Sequence, residues 1–165
     1  LSASPEDTAL PEEETAAVLV SAPKDGQRVV IYNEAEQSAV TGQLISGFLE
    51  AEPWEAQGPA LKAPQPDAAL VFTAQTAENG TVRFHDPEGR WLVPADNGLT
   101  LSAEPESEEL TWWAPEPAYG GWNIVNAEMK DRALAAGNGL TAVVQGGERD
   151  DAFVFNFYEP VGEKP

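Results

Sequence analysis

The chain has 165 residues and a mass of 17.6 kDa, which suits one domain; a domain of this size buries roughly 70% of its unfolded surface and needs no staples. It carries 28 acidic residues against 9 basic ones, a formal charge of −19, which excludes nucleic acid and anionic membranes as partners because phosphate binding depends on Lys and Arg. The absence of cysteine removes disulfides, thiolate metal sites and cysteine nucleophiles together, and no apolar run approaches the ~20 residues of a membrane span, so membrane insertion is not expected.

At the N-terminus there is no initiator Met, no basic n-region and no long apolar stretch, so residue 1 is expected to have been released from a longer precursor. Residues 1–22 contain Glu6, Asp7, Glu12, Glu13 and Glu14, with no Lys, Arg or aromatic residue. Such a composition cannot bury enough apolar surface to fold alone and reads as an acidic, flexible linker. Within it Ala17-Val18-Leu19-Val20 is apolar, and 18–20 is expected to add a strand to the domain that follows at 23–160. Residues 161–165 read as a C-terminal tail.

The domain repeats itself with a period of about forty residues. Asn97-Gly98-Leu99-Thr100 recurs as Asn138-Gly139-Leu140-Thr141. Around these, Val82-x-Phe84 matches Trp122-x-Ile124, Arg90-x-Leu92 matches Arg132-x-Leu134, and Leu110-x-Trp112 matches Phe153-x-Phe155. A more divergent copy lies upstream, with Val29-x-Ile31-x-Asn33 against Trp122-x-Ile124-x-Asn126 and Leu70-x-Phe72 against Leu110-x-Trp112. It holds about a dozen additional residues, assigned to 47–59, Trp54 among them. The units therefore run over 25–78, 79–119 and 120–160.

Each unit reads as four short strands, in the last at 122–126, 132–136, 140–144 and 152–158. Phe153, Phe155 and Phe157 alternate with Val154 and Asn156, a period of two. Asn79-Gly80, Asn97-Gly98, Asn138-Gly139 and Gly146-Gly147 are hairpin signals. One stretch, 43–52, reads as helical, limited by Gly47 and Pro53. Three units of four strands describe an all-β fold, a β-trefoil or trefoil-like barrel, in which Phe72, Trp112 and Phe155 meet in the core and closure removes free strand edges.

The segment Ala22-Pro23-Lys24-Asp25-Gly26-Gln27-Arg28-Val29-Val30-Ile31-Tyr32-Asn33, the later Trp122-x-Ile124-x-Asn126 and the closing run 153–158 resemble the C-terminal β-rich accessory module of secreted bacterial metallophosphatases and 5′-nucleotidase-like surface proteins. That resemblance implies an extracellular or cell-surface bacterial location and a catalytic domain upstream. It implies no catalytic residue in this chain. The architecture is also similar to ricin-type trefoils, whose Gln-x-Trp signature is replaced here by Leu70-x-Phe72, Leu110-x-Trp112 and Phe153-x-Phe155.

Little in the sequence points to catalysis. His85 is the single histidine, and His85-Asp86-Pro87-Glu88-Gly89 has the composition of a turn between strands. Ser38, Ser46, Ser102 and Ser107 lack a Gly-x-Ser-x-Gly elbow that would mark one as a nucleophile. One histidine is too few for a transition-metal site. The acidic loops Glu148, Asp150, Asp151 and Glu104, Glu106, Glu108, Glu109 lack EF-hand spacing, so no cofactor is expected beyond adventitious calcium. The aromatic residues are more informative. Flat rings can stack on sugars while acids, amides and Arg read the hydroxyls. Trp112 and Trp122 fill apolar repeat positions and read as core, whereas Trp54, Trp91 and Trp113, with Arg90 and Asp86, are the candidate ligand-binding residues. The expected role is a non-catalytic accessory domain, monomeric, that docks to a neighbouring domain or a cell-surface glycan. A carbohydrate-binding trefoil and a small secreted hydrolase are the alternatives.

Overall fold

In the computed structural model, which describes residues 15–45, 48–57, 60–62, 71–95, 98–105, 107–137, 139–146 and 150–160, six strands close a barrel. They are β2 (Arg28–Asn33), β7 (Val71–Thr76), β8 (Val82–His85), β11 (Trp113–Ala118), β12 (Gly121–Asn126) and β15 (Val154–Pro160). Each pairs antiparallel with the next, and β15 returns to β2. Three hairpins cap one end: β3–β4 (Ser38–Ile45, Phe48–Pro53), β9–β10 (Trp91–Ala95, Gly98–Ser102) and β13–β14 (Arg132–Gly137, Leu140–Gln145). Two barrel strands and one hairpin per unit make the β-trefoil expected from the repeats.

The register of the barrel gives the threefold relation residue by residue. Val29 stands opposite Phe72, Val82 opposite Trp113, and Trp122 opposite Phe155. Phe72, Trp113 and Phe155 are therefore equivalent, and all three are fully buried in one core with Ile31, Phe84, Ile124 and Phe157. This corrects the assignment of Trp112 to the core and of Trp113 to the surface. The 3-10 turns Glu108–Thr111 and Asp151–Phe153 lead into β11 and β15. They place Trp112 level with Val154, half-buried, one residue before the inward-facing position.

The stretch 43–52 is not helical. It forms the β3–β4 hairpin, in which Leu49 and Ala51 turn inward while Glu50 and Glu52 stay partly exposed, a period of two. The Thr41 hydroxyl donates to the Glu50 carbonyl at 3.0 Å, and β4 pairs with β14 of the third unit. These tertiary pairings override the local helical preference. The first unit holds a further hairpin, β5–β6 (Glu55–Gln57, Ala60–Lys62), whose first strand lies within the segment 47–59 assigned to the additional residues and whose second strand lies just beyond it.

That hairpin and β1 (Thr15–Val20) lie along the barrel through the β15–β1–β6 pairing. They cover the outer face of β2, so both faces of that strand are buried and its alternation disappears. Ala17, Leu61 and Val71 pack there with Val30, Tyr32 and Tyr158 in a second cluster. Turns recur with the fold: Gly26, Gly80 and Gly120 take φ of 82°, 90° and 89° ahead of β2, β8 and β12, conformations in which a Cβ is strained. Gly121 is needed for a different reason, since a Cβ there would lie 2.7 Å from the Phe155 carbonyl oxygen.

Candidate functional site

The end of the first strand in each unit carries one buried polar residue: Asn33, Asp86 and Asn126. Each oxygen caps the turn that follows. Asn33 Oδ1 accepts from Glu36 N at 2.8 Å, and Asn126 Oδ1 accepts from Glu128 N and Met129 N at 3.0 and 2.9 Å. The amides also donate across the seam between units, Asn33 Nδ2 to the Ala152 carbonyl at 2.9 Å and Asn126 Nδ2 to the Leu110 carbonyl at 3.0 Å. The Asp86 side chain has no N–H to give. Its Oδ1 accepts from Glu88 N and Arg90 N, and its Oδ2 takes Arg90 Nε at 2.9 Å and Nη2 at 2.8 Å. Two residues singled out as ligand-binding candidates are thus joined to each other. Asp86 is 3% exposed, and its hydrogen-bonding capacity goes to holding the β8–β9 turn.

Trp91, the first residue of β9, is half-buried beside that pair. Its ring meets the His85 ring edge-on at 5.0 Å. His85 Nδ1 lies 3.1 Å from the Asp86 carbonyl oxygen, which requires that nitrogen to donate. Arg83 lies against Trp91 at 4.3 Å and against Trp112 at 4.6 Å from the ring centroids. Its Nε donates to Gln75 Oε1 at 2.8 Å and its Nη1 to Glu108 Oε2 at 3.2 Å. The Arg83 side chain is 16% exposed.

Three cavities lie at the seams between units. Trp112, with Asn79, Thr81, Glu109, Ala127 and Glu128, lines one of 380 Å³. Val154 lines its counterpart of 280 Å³ with Glu34, Tyr119 and Asp151, and Val71 lines a third of 250 Å³ with Arg28, Thr73 and Pro87. Val71, Trp112 and Val154 hold the same place in the repeat, immediately before the equivalent core aromatics. At this place one of the three equivalent seams has tryptophan where the others have valine, and Tyr119 enters the Val154 cavity from the turn before β12 instead.

The walls of the Trp112 cavity are held from below. The Trp112 carbonyl accepts from Ala127 N at 2.9 Å, and the Asn126 side chain bridges from the 127–129 turn to Leu110. Asn79 Oδ1 accepts from Thr81 N and Thr81 Oγ1 at 3.1 and 2.7 Å, which leaves the Asn79 NH₂ as a donor at the rim. Glu109 and Glu128 supply exposed acceptor oxygens.

Among the sequence candidates, the structure brings Asp86, Arg90 and Trp91 together in one turn and places Trp113 in the core. Trp54 lies against the second cluster, where its main-chain oxygen accepts from Tyr32 Oη at 2.6 Å and its Nε1 donates to Glu52 Oε2 at 3.3 Å. Burial pushes the Tyr32 phenol up to about 12, with Glu34 and Glu55 adding to it. Burial and then Glu34, which accepts from Tyr158 Oη at 3.1 Å, raise Tyr158 further. The residues missed were Trp112, Glu109, Glu128 and Asn79. Asn79-Gly80-Thr81 was visible as a turn, but its position beside Trp112 depends on the fold.

Among the described residues no group of three or more His, Asp or Glu side chains is placed to hold a metal ion. Glu106 and Glu148 of the acidic loops lie outside them, as does Ser46. No helix of the described residues is long and apolar enough to cross a membrane.

No protein-family model and no curated protein sequence matches this chain. Solved structures do. A GlcNAcα1-4Gal-releasing endo-β-galactosidase from Clostridium perfringens matches 82% of this chain with a TM-score of 0.64 at 11% identity, and the chain spans about a third (32%) of that protein's length. SeviL, solved bound to the asialo-GM1 saccharide, matches 81% of this chain and 98% of its own at TM-score 0.59 and 13% identity. The BEL β-trefoil matches 87% of this chain and 99% of its own at TM-score 0.61 and 14% identity. At these identities the likeness is one of fold.

Proposed function

We propose that this chain is a non-catalytic carbohydrate-binding module and that the cavity beside Trp112 is its site. The observation that carries the proposal is the tryptophan at 112, in a repeat place that holds Val71 and Val154 at the other two seams. A half-buried Trp lining an open cavity offers an apolar face to a pyranose ring. The Asn79 amide can donate to sugar hydroxyls, and Glu109 and Glu128 can accept from them. The fold likeness to a trefoil solved with a saccharide bound supports this reading. The His85 ring contacts a backbone carbonyl and the Trp91 ring and lines none of the three cavities.

Binding to a single shallow site of this kind is expected in the millimolar range, about 4 kcal/mol. A glycan array probed with the wild type, Trp112→Ala and Trp54→Ala tests it. Saturable binding lost in Trp112→Ala and kept in Trp54→Ala is the expected result. Binding indifferent to Trp112 would remove the site, and a blank array would remove the function.

A second reading is favoured by one observation: the chain matches only a part of a longer glycosidase. On that reading it is an accessory domain of a secreted or surface bacterial protein, docked to its neighbour. No sequence match supports the metallophosphatase parent that the segment 22–33 resembles.

A further inference from the structure

Two carboxylates, Glu109 and Glu128, line the Trp112 cavity, and no Lys or Arg joins them among the described residues. Arg83, 4.6 Å from the Trp112 ring, is not among the lining residues and is held by Gln75, Glu108 and the Trp91 ring. An anionic sugar, a uronate or a sulfated or sialylated unit, would meet two like charges with no counter-charge, in a chain whose net charge of −19 adds a field of the same sign. A cation meets the opposite situation. The face of an indole attracts ammonium through its quadrupole, more strongly than Tyr or Phe does, and the two carboxylates accept charge-assisted hydrogen bonds. The Val154 seam is also acidic, with Glu34 and Asp151, but its aromatic residue is the fully exposed Tyr119, and it has no indole.

We infer that the sugar taken by the Trp112 cavity carries a free amine: a hexosamine unit whose nitrogen is not acylated, bound as an ammonium among Trp112, Glu109 and Glu128. This inference rests on the carbohydrate-binding proposal and adds the ligand's charge to it.

The test titrates the full chain at low salt with the free-amine glucosamine disaccharide and with its N-acetylated counterpart. Both are repeated on Glu109→Gln/Glu128→Gln and on Glu36→Gln/Glu104→Gln, a pair with the same charge change outside the cavity. The free-amine sugar is expected to bind about tenfold more tightly. That preference should vanish in the first double variant, persist in the second and shrink as salt rises. Equal affinity of the wild type for both disaccharides would overturn the amine inference and leave the carbohydrate reading standing. Binding of neither disaccharide, together with a blank array, would overturn the reading itself. Equal loss of the preference in both double variants would assign it to bulk charge and overturn the site. A dilysine peptide that binds as tightly, with the same dependence on Glu109 and Glu128, would show a site for ammonium groups irrespective of sugar and also overturn it.

Discussion

The Arg83 guanidinium stands 4.6 Å from the centre of the Trp112 ring. It is anchored by Gln75 on β7 and by Glu108 on the turn before β11, so a side chain of β8 packs on the ring that lines the cavity. Arg83→Met keeps the length of the chain and removes the charge and both hydrogen bonds. It is expected to shift the tryptophan emission and to weaken glycan binding several-fold, in line with a contact of about 0.5–1 kcal/mol, while the circular dichroism stays as in the wild type. Arg83→Lys should recover part of the affinity. Unchanged binding in Arg83→Met would show that Trp112 needs no such support.

The adjacent tryptophans should respond to truncation with losses of different size. Trp113 is fully buried, donates from Nε1 to the Leu92 carbonyl at 3.1 Å, and sits where the other units have Phe72 and Phe155. Trp113→Ala is expected to cost about 3–5 kcal/mol, as is Phe155→Ala. Trp112→Ala should cost no more than about 1–2 kcal/mol. Urea unfolding of the three variants measures both, and equal losses at 112 and 113 would contradict the register.

Asp86 depends on Arg90 because the other units use an amide at the same place. Removing the guanidinium in Arg90→Ala leaves a buried carboxylate without its cation, at an expected cost of about 2–3 kcal/mol given that Arg90 is partly exposed. Adding Asp86→Asn to that variant should recover most of the loss, since Asn33 and Asn126 hold their turns without an ion pair. A double variant no more stable than Arg90→Ala would mean that the second unit cannot use the amide.

Alkaline stability should fall in a defined window. Tyr32 is protonated up to about 12 in the folded chain against 10.0 for an unperturbed phenol. Between these values the unfolded state loses its proton first. The stabilisation from Tyr32 is therefore complete below pH 10 and is lost as pH rises towards 12, and that from Tyr158 also starts to be lost at pH 10 and continues to fall beyond that window. Stability measured against pH should decline more gently in Tyr158→Phe than in the wild type above pH 10. Parallel profiles would show that this phenol does not contribute.

The repeats were legible because each unit must place the same apolar residues on the barrel wall. Val29, Val82 and Trp122, or Ile31, Phe84 and Ile124, keep their spacing within a unit even where their identity drifts. The hairpin at β3–β4 was not legible, because 43–52 carries no decisive alternation until Leu49 and Ala51 are seen to pack on the third unit. The choice between Trp112 and Trp113 was equally hidden. Alternation says that neighbours in a strand point apart, but not which one points inward, and the answer depends on how the turn at Glu108–Thr111 feeds β11.

The sequence by itself determined the class and architecture: an acidic, cysteine-free chain whose threefold pattern of short strands closes into a trefoil. The tertiary structure alone brought the candidate site together. Asp86 and Arg90 read as surface polar residues until burial joined them, because pairing a carboxylate with a guanidinium is what allows it to be buried. Trp112, Asn79, Glu109 and Glu128 come from two neighbouring units and far-apart positions in the chain. Only the closure of the barrel, which brings the end of one unit against the start of the next, sets them around a common cavity.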